Sequence, residues 1–436
     1  MSAAAPAMDR DVRGPVWIVH VWIMAVLMAC IHAPLTKANA ASPVDPMNRV
    51  DAKAADGHWP QTPRSSARIF ISGHSLTDRP LPDQLAAIAD SLGTPALWER
   101  QYIVGSSIRR RTRGEADDPS VWAGYREGYN RDGEGLDVVA ELRRPSVHPD
   151  RPYDALLITE QHGLLGTLIW NDTVRHLRHY HERFIEGNPR GQTYFYEAWI
   201  SLDDKDRPER WIAYERAASP VWQCIATRIN VSLQAEGRSD RIVSLPAGRA
   251  LAELVARALQ PSGLPGLGGP KARDVVNRLI KDDVHLTPLG SYYLALVSYA
   301  AIYERSPVGA WAPPGTDPAL AFALQSFAWD FVSGYYRSYR PMSLQQCKQY
   351  LQDEFIGLYW AYVRDAYWRR ETHLLAAYVR WARHLLTWRH RLSRSDERNP
   401  FHHDPATDAR HWWAAPSERS EAPSRQPGSA APAAKM

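Results

Sequence analysis

Between residues 67 and 306 the chain alternates short apolar runs with longer stretches whose apolar positions have helical spacing. The apolar runs predict five strands, at residues 68–72, 97–104, 153–159, 193–200 and 241–245. The remaining stretches predict helices at residues 83–92, 168–185, 207–234, 247–259 and 288–303. Short apolar strands separated by helices indicate a parallel sheet covered on both faces. We therefore predict an α/β/α domain whose functional site lies at the carboxyl ends of the strands.

A second, helical region is predicted after this domain. Residues 307–318 are rich in proline and mark a boundary, and residues 319–392 look entirely helical. An apolar stripe with helical spacing is formed by Leu374, Tyr378, Trp381, Leu385 and Trp388. We predict that this stripe packs against the main domain. The alternative is peripheral contact of these aromatic and basic helices with a membrane interface or an acidic polymer.

The N-terminus has the pattern of a secretory signal peptide. Arg10 and Arg13 precede an apolar stretch at residues 15–31, and the small residues 38–40 (Ala-Asn-Ala) form a cleavage site. We therefore predict a signal peptide at residues 1–40 and an exported protein, either periplasmic or secreted. Two alternatives are an uncleaved anchor helix and a lipidated Cys30.

The segments outside the predicted domains are polar. Residues 41–66 read as a linker, and residues 415–436 are rich in serine, proline and alanine, which is typical of disorder. A net charge of +4 over 436 residues is nearly balanced, so nucleic acid is not an expected partner. The sequence leaves the oligomeric state open.

Metal binding is not expected from the cysteine and histidine pattern. The mature chain would keep Cys224 and Cys347, which lack metal-ligand spacing, and whether they form a disulfide stays open. We interpret His176 and His179, in the segment HLRHYH, as a solvated helix face. The segment RRRTRG at residues 109–114 reads as a solvated charge run, although it could attract an anionic substrate. No cofactor is implied.

Three residues have the types and positions needed for nucleophilic catalysis. Ser75 follows the first predicted strand in the segment ISGHSLTD, where a strand-end turn would expose its hydroxyl. Downstream, the segment KDDVHLTPLG places Asp282 three residues before His285, just ahead of a predicted helix. This spacing lets a carboxylate hold one imidazole nitrogen while the other faces a serine. Asp283 could substitute for Asp282.

These segments together resemble the conserved blocks of the SGNH/GDSL hydrolases over residues 67–305. Gly73-His74-Ser75-Leu76 resembles the first block, Gly-Asp-Ser-Leu. Gly105, after the second predicted strand, resembles the second block, and Asp282 to His285 resembles the last block, Asp-x-x-His. The resemblance implies a flavodoxin-like sheet, a Ser75–His285–Asp282 triad and an oxyanion hole that includes Gly105.

Two blocks depart from the family pattern. His74 stands where the family has aspartate, so the bonding of the nucleophile turn must differ. The third block, Gly-x-Asn-Asp, is replaced after the third strand by Glu160-Gln161-His162. His162 is our candidate for the side-chain oxyanion donor, and Asn171 is the alternative.

The resemblance implies an exported serine esterase that hydrolyses acyl esters, with acetyl esters on carbohydrate as the expected substrates; lipid esters and small acyl esters are also open. The main alternative is a catalytically inactive SGNH-like protein that binds carbohydrate or another envelope component. A second alternative is a structural protein associated with a membrane through its helical tail.

The predicted signal peptide gives the first test. Because the cleavage site follows Ala40, we expect N-terminal sequencing of the protein recovered from its native host to begin at Ala41. An acylated Cys30 at the N-terminus, or an intact chain beginning at Met1 in the membrane fraction, would refute the prediction.

Overall fold

The computed structural model describes residues 63–115 and 122–413 of the chain. The predicted signal peptide, most of the linker and the tail at residues 415–436 lie outside the described residues. The described residues belong to one compact unit. The division into a domain at residues 67–306 and an extension at residues 319–392 therefore stays a prediction.

Five parallel strands form a sheet in the order β2-β1-β3-β4-β5. The strands are β1 (Ala67–Gly73), β2 (Ala96–Tyr102), β3 (Ala155–Thr159), β4 (Gln192–Tyr196) and β5 (Ile242–Leu245). All of β3 is buried, as expected for a central parallel strand covered on both faces. This order is the flavodoxin-like one, with its topological switch point between β1 and β3. The predicted fold class is confirmed.

Two groups of helices flank the sheet. Up to residue 303 the helices are α1 (Leu81–Ser91), α2 (Ile108–Arg113), α3 (Val138–Arg143), α4 (Leu164–Trp170), α5 (Thr173–Gly187), α6 (Glu209–Ala235), α7 (Ala247–Ala258), α8 (Ala272–Leu279) and α9 (Pro288–Tyr303). In one group, α9 packs against α1, α7 and α8; in the other, α5 packs against α2 and α6. Nearly every residue of α9 is buried, because α10 covers its outer side.

The single helix predicted at residues 168–185 is wrong. The chain forms two helices here, and Asp172 between them adopts a left-handed conformation with φ of +48°. Aspartate tolerates this conformation better than most residues, so the Asn171-Asp172 pair acts as a helix break. The apolar periodicity continues across the break, which is why the pattern alone suggested one helix.

Edge strand β5 is capped by side chains. The Asn230 amide donates to the carbonyl of Ile242 and accepts from its N–H, both at 2.8 Å. The Tyr336 hydroxyl donates to the carbonyl of Ser244 at 2.9 Å. These contacts occupy backbone groups that would otherwise be open to pairing with another strand.

The C-terminal region is helical, as predicted. It contains α10 (Pro318–Ser338), α11 (Leu344–Tyr350), α12 (Ile356–Val363), α13 (Arg369–Glu371), α14 (Leu374–Ser393) and α15 (Pro405–Trp413). Two π-helical turns, Leu351–Phe355 and Arg364–Trp368, join α11, α12 and α13. A disulfide between Cys224 on α6 and Cys347 on α11 links this region to the helix layer, with Cα atoms 5.7 Å apart.

The predicted packing stripe on α14 is only partly buried. Trp388 is buried and Leu385 is half-buried, whereas Leu374 and Tyr378 are exposed. The guanidinium of Arg364 lies over the rings of Tyr378 and Trp381, whereas Leu374 in the first turn is 58% exposed. In the part of the chain that the structure describes, no helix is both long enough and apolar enough to span a bilayer.

Candidate active site

The turn that carries Ser75 depends on a close approach at Gly73, the last residue of β1. A Cβ on Gly73 would stand 1.8 Å from the hydroxyl oxygen of Thr77 and 3.3 Å from a methyl carbon of Thr159. The chain then forms a short 3₁₀ turn, Ser75–Thr77, in which the N–H of Thr77 donates to the carbonyl of His74 at 2.9 Å. The turn brings partly exposed Ser75 to the carboxyl edge of the sheet, at the switch point.

His74 forms hydrogen bonds beneath the turn. An aspartate stands at this position in the family pattern that the sequence resembles. Nε2 of His74 lies 3.1 Å from the carbonyl oxygen of Glu160, and its Nδ1 accepts from the N–H of Leu76 at 3.5 Å. Burial lowers the pKa of His74 to about 3, and the nearby Arg111 guanidinium adds to this effect. The imidazole is therefore neutral at neutral pH, with its proton on Nε2. It ties the serine turn to the end of β3.

Ser75, His285 and Asp282 form a hydrogen-bonded chain. Nε2 of His285 lies 3.1 Å from Oγ of Ser75, and Nδ1 lies 2.8 Å from Oδ2 of Asp282. The other carboxylate oxygen of Asp282 accepts from the N–H groups of Val284 at 2.9 Å and His285 at 2.7 Å. Partial burial raises the pKa of Asp282, but these hydrogen bonds outweigh it and the net pKa is lowered. Asp282 is therefore an ionised acceptor at neutral pH.

Asp283 takes no part in this hydrogen-bonded chain. Its carbonyl oxygen accepts from the N–H of Leu202 at 2.7 Å, and its carboxylate acts electrostatically on His162. The Asp282–His285 pair is open to solvent, with 47% of each side chain exposed.

The loop that carries His285 is held by the connection between β4 and α6. Besides the Leu202 contact, the indole N–H of Trp199 donates to the carbonyl of Val284 at 2.7 Å. The ammonium of Lys205 donates to the carbonyls of Ile280 at 2.8 Å and Lys281 at 3.2 Å. These donors fix the loop's backbone, and with it the direction of the imidazole.

The C-terminal region in turn holds the β4–α6 connection. The hydroxyl of Tyr362 on α12 donates to the carbonyl of Ser201 at 2.8 Å and accepts from the N–H of Asp203 at 3.2 Å. The guanidinium of Arg370 donates to the carbonyl of Asp203 at 3.2 Å. The C-terminal region therefore supports the His285 loop indirectly, through the β4–α6 connection.

Gly105 and the third-block segment lie on the other side of the serine. Gly105 has φ of +60° and adopts the left-handed conformation that favours glycine. Its carbonyl accepts from the side-chain amide of Gln161 at 2.8 Å. His162 is partly buried, and burial is the largest cause of its lowered pKa; the Asp283 carboxylate opposes this shift and His285 adds to it. A neutral His162 keeps one ring N–H as a donor.

The alternative donor, Asn171, lies at the far end of α4. This helix has seven residues, which corresponds to about 10 Å between the His162 loop and Asn171. His162 is thus the better placed of the two predicted donors.

Sequence reasoning missed Arg111, which is fully buried below the serine turn. Its guanidinium donates to the hydroxyl of Ser72 at 2.9 Å, to the carbonyl of Ser106 at 2.9 Å and to the carbonyl of Thr159. Burial lowers the pKa of Arg111 to about 10, which leaves it charged. The interpretation of residues 109–114 as a solvated run is wrong here, because α2 turns this side chain under the sheet edge. Arg113 on the same helix is also buried, and nothing in the run of arginines distinguishes these two from Arg109 and Arg110.

Glu160 is the buried counter-charge of Arg111. Its carboxylate accepts from the N–H groups of Ile108 at 3.0 Å and Gln161 at 2.7 Å, and from the hydroxyl of Thr173 at 2.8 Å. Burial raises the pKa of Glu160, and these donors and Arg111 oppose the shift. Glu160, which stands where the SGNH/GDSL pattern has glycine, thus anchors the start of α2.

The solvated face predicted for His176 and His179 is also wrong. Both are buried, and their Nδ1 atoms lie 2.8 Å from the hydroxyl of Thr112 and 2.7 Å from that of Tyr125. Trp122 stacks on His179 at 3.5 Å between ring centroids. Among residues 63–115 and 122–413, no group of three or more histidine, cysteine, aspartate or glutamate side chains is arranged to hold a metal ion.

The chain is therefore a flavodoxin-like α/β protein with a Ser-His-Asp hydrogen-bonded chain at its switch point. No family model matches the sequence, and no curated protein matches it. A crystal structure of a DUF4886 family protein from Bacteroides uniformis is similar, with 16% identity over 64% of this chain and 98% of that chain. Its TM-score is 0.42, and no conclusion about this chain rests on the likeness.

The close approach at Gly73 gives a prediction about stability. We expect Gly73→Ala to lower the free energy of unfolding by about 1–3 kcal/mol, because the new methyl overlaps the Thr77 hydroxyl. The double variant Gly73→Ala/Thr77→Ala should regain part of this loss. In urea titrations of both single variants and the double variant, the coupling energy should reach about 1 kcal/mol. Additive losses would contradict the prediction.

Proposed function

We propose that the protein is an exported serine esterase that hydrolyses acyl esters, most simply acetyl esters of a carbohydrate polymer. The observation that carries the proposal is the continuous contact from Ser75 through His285 to Asp282. Each atom has the role that nucleophilic acyl transfer requires. The proposal involves no cofactor.

Acid and base roles follow from the hydrogen bonds. Because ionised Asp282 only accepts, the proton it shares with His285 belongs to Nδ1, which leaves Nε2 as the base facing Ser75. Nε2 takes the serine proton as Oγ attacks the acyl carbonyl, and then gives it to the departing alcohol. Nε2 then takes a proton from a water molecule as the water oxygen attacks the acyl-enzyme carbonyl. The proton passes to Oγ of Ser75 as the acid leaves, which restores the serine hydroxyl.

Negative charge on the carbonyl oxygen needs donors close to Ser75. In the proposal, these are the backbone N–H groups of Ser75 and Gly105, with the ring N–H of His162 as the third. One such donor is worth about 3 kcal/mol in the transition state. The left-handed conformation of Gly105 and the anchoring of its carbonyl by Gln161 support its assignment.

The openness of the site favours a large substrate. The histidine and aspartate are about half exposed, so a substrate that covers the site would itself exclude water. An ester group on a polymer satisfies this condition better than a small free ester.

Export is supported by the disulfide between Cys224 and Cys347, both of which are buried. Structural disulfides persist mainly in oxidising compartments. The pairing agrees with a periplasmic or secreted protein and adds to the N-terminal pattern.

A second candidate is a binding protein of the same fold without catalytic activity. His74 and Glu160 favour it, because both replace family residues and both make structural bonds. The two candidates differ in whether Ser75 reacts.

The enzyme proposal predicts that residues 41–436 hydrolyse 4-nitrophenyl acetate and that a fluorophosphonate probe labels Ser75. Ser75→Ala and His285→Ala should each lower the rate by about 10³-fold or more, and combining them should add little, because triad members act as a unit.

Asp283→Ala is the matched control for Asp282→Ala, since the two acids are neighbours and only Asp282 contacts His285 through its side chain. The control should lose much less activity. Unlabelled wild-type protein without esterase activity would favour the binding protein, and full activity of Ser75→Ala would remove the serine from the mechanism.

A further prediction concerns the third donor. We expect His162→Ala to lower kcat by about 10²-fold with little change in KM, because a bond to the oxyanion forms mainly in the transition state. His162→Asn should recover part of the loss by restoring a donor. If kcat of folded His162→Ala equals that of the wild type, the residue does not belong to the oxyanion hole.

A further inference from the structure

Helix α14 buries one side and exposes an apolar stripe on the other. Trp388 and Leu392 are buried, whereas Leu375, Val379 and Leu386 expose 69%, 59% and 66% of their surface. At 100° per residue, the three exposed side chains fall within an arc of about 40°. Three large aliphatic side chains aligned on one exposed face differ from the scattered apolar residues of an ordinary surface.

Cationic side chains border this stripe on both sides. Arg383 and Arg389 are exposed and project about 60° to either side of its centre. Residues 372–395 contain five arginines and no aspartate or glutamate. Of the others, Arg380 lies over the ring of Trp368, with its guanidinium carbon 4.5 Å from the ring centroid. The outward face therefore combines apolar contact area with positive charge.

We propose that α14 is an interfacial helix that lies on an anionic lipid surface. The stripe of Leu375, Val379 and Leu386 enters the boundary between headgroups and acyl chains, and Arg383 and Arg389 contact lipid phosphates. A helix with an apolar stripe bordered by arginine has the features that place helices in the plane of a membrane. Tyr378, which is 39% exposed, lies beside the stripe with the Arg364 guanidinium over its ring, 4.4 Å from the centroid; tyrosine is enriched at membrane interfaces. This binding goes beyond the esterase activity and does not depend on it.

The charge pattern favours lipid over the other occupants of such a face. In a symmetric dimer through α14 the arginines of two copies would meet without any acidic residue on the helix to pair with them. An acidic polymer would use the arginines and leave the aliphatic side chains in water. An anionic bilayer accommodates both.

Vesicle flotation tests the proposal. Residues 41–436 contain the whole compact unit and omit the apolar N-terminal segment, which could bind membranes by itself. We expect this protein to float with vesicles of phosphatidylcholine and phosphatidylglycerol, and much less with phosphatidylcholine alone. Replacing Leu375, Val379 and Leu386 together by serine should weaken the binding by about tenfold or more. Arg383→Gln combined with Arg389→Gln should weaken it and reduce its salt dependence.

Matched controls come from exposed residues elsewhere. Phe322→Ser removes an apolar side chain on α10 that is 58% exposed, and Arg126→Gln removes an arginine that is 82% exposed; both should bind vesicles like the wild type. Circular dichroism shows whether each variant is folded, and the single variant Leu386→Ser repeats the test with a smaller change.

Three results would overturn the proposal. The first is wild-type protein that does not float with anionic vesicles. The second is a folded triple-serine variant that floats as well as the wild type. The third is a wild-type dimer that the triple-serine variant dissociates, which would assign the face to a second copy of the chain.

Discussion

The site depends on the hydrogen bonds that the buried guanidinium of Arg111 donates. The guanidinium donates at once to acceptors on β1, on the turn after β2 and at the end of β3, the three chain segments that carry Ser75, Gly105 and His162. A buried charge is costly unless every donor has a partner, so the three strand ends cannot shift independently without leaving part of it unsatisfied. Nearby Glu160 supplies opposite charge and bonds to the start of α2. One buried charged group thus holds together the chain segments that meet at the switch point.

The histidine side of the site is held differently, by two successive sets of hydrogen bonds to backbone groups. The β4–α6 connection donates to the carbonyls of the His285 loop through Trp199, Leu202 and Lys205. That connection is itself hydrogen-bonded to Tyr362 in the C-terminal region. The disulfide links the same region to α6. Since the His285 loop is exposed, it lacks the packing that fixes a buried side chain, and these donors take its place. The helical extension is therefore part of what orients the imidazole.

The sequence was sufficient for the sheet and for the residues that meet at its edge. All five strands were located within a few residues, because parallel strands covered on both faces are short and rich in apolar residues, although edge strand β2 also carries Glu99, Arg100 and Gln101. Ser75 lies at a strand end, where sites form in this topology, and the loop between α8 and α9 brings Asp282 and His285 to it. Arg111 could not be recognised, since the direction of one arginine among several depends on how a short helix packs. The burial of His176 likewise depends on partners far away in the sequence. The exposure of Leu374 depends on how α14 packs, which the apolar pattern does not show.

Helix α4 connects the His162 side of the site to the packed side of α14, opposite its exposed apolar stripe. This helix begins beside the His162 loop, where Gly163 lies near the hydroxyl of Tyr359, and ends at Trp170, whose ring lies 5.3 Å from that of His384 on α14. Its length of about 10 Å makes α14 a neighbour of the third-block side of the site. An exposed triad loses much of the electrostatic advantage of a dry pocket unless the substrate covers it. A protein held along α14 on an envelope surface would meet polymers anchored there at high local concentration. The two proposals are therefore complementary: a lipid-bound α14 would hold the open site close to large substrates, which that site needs in order to exclude water.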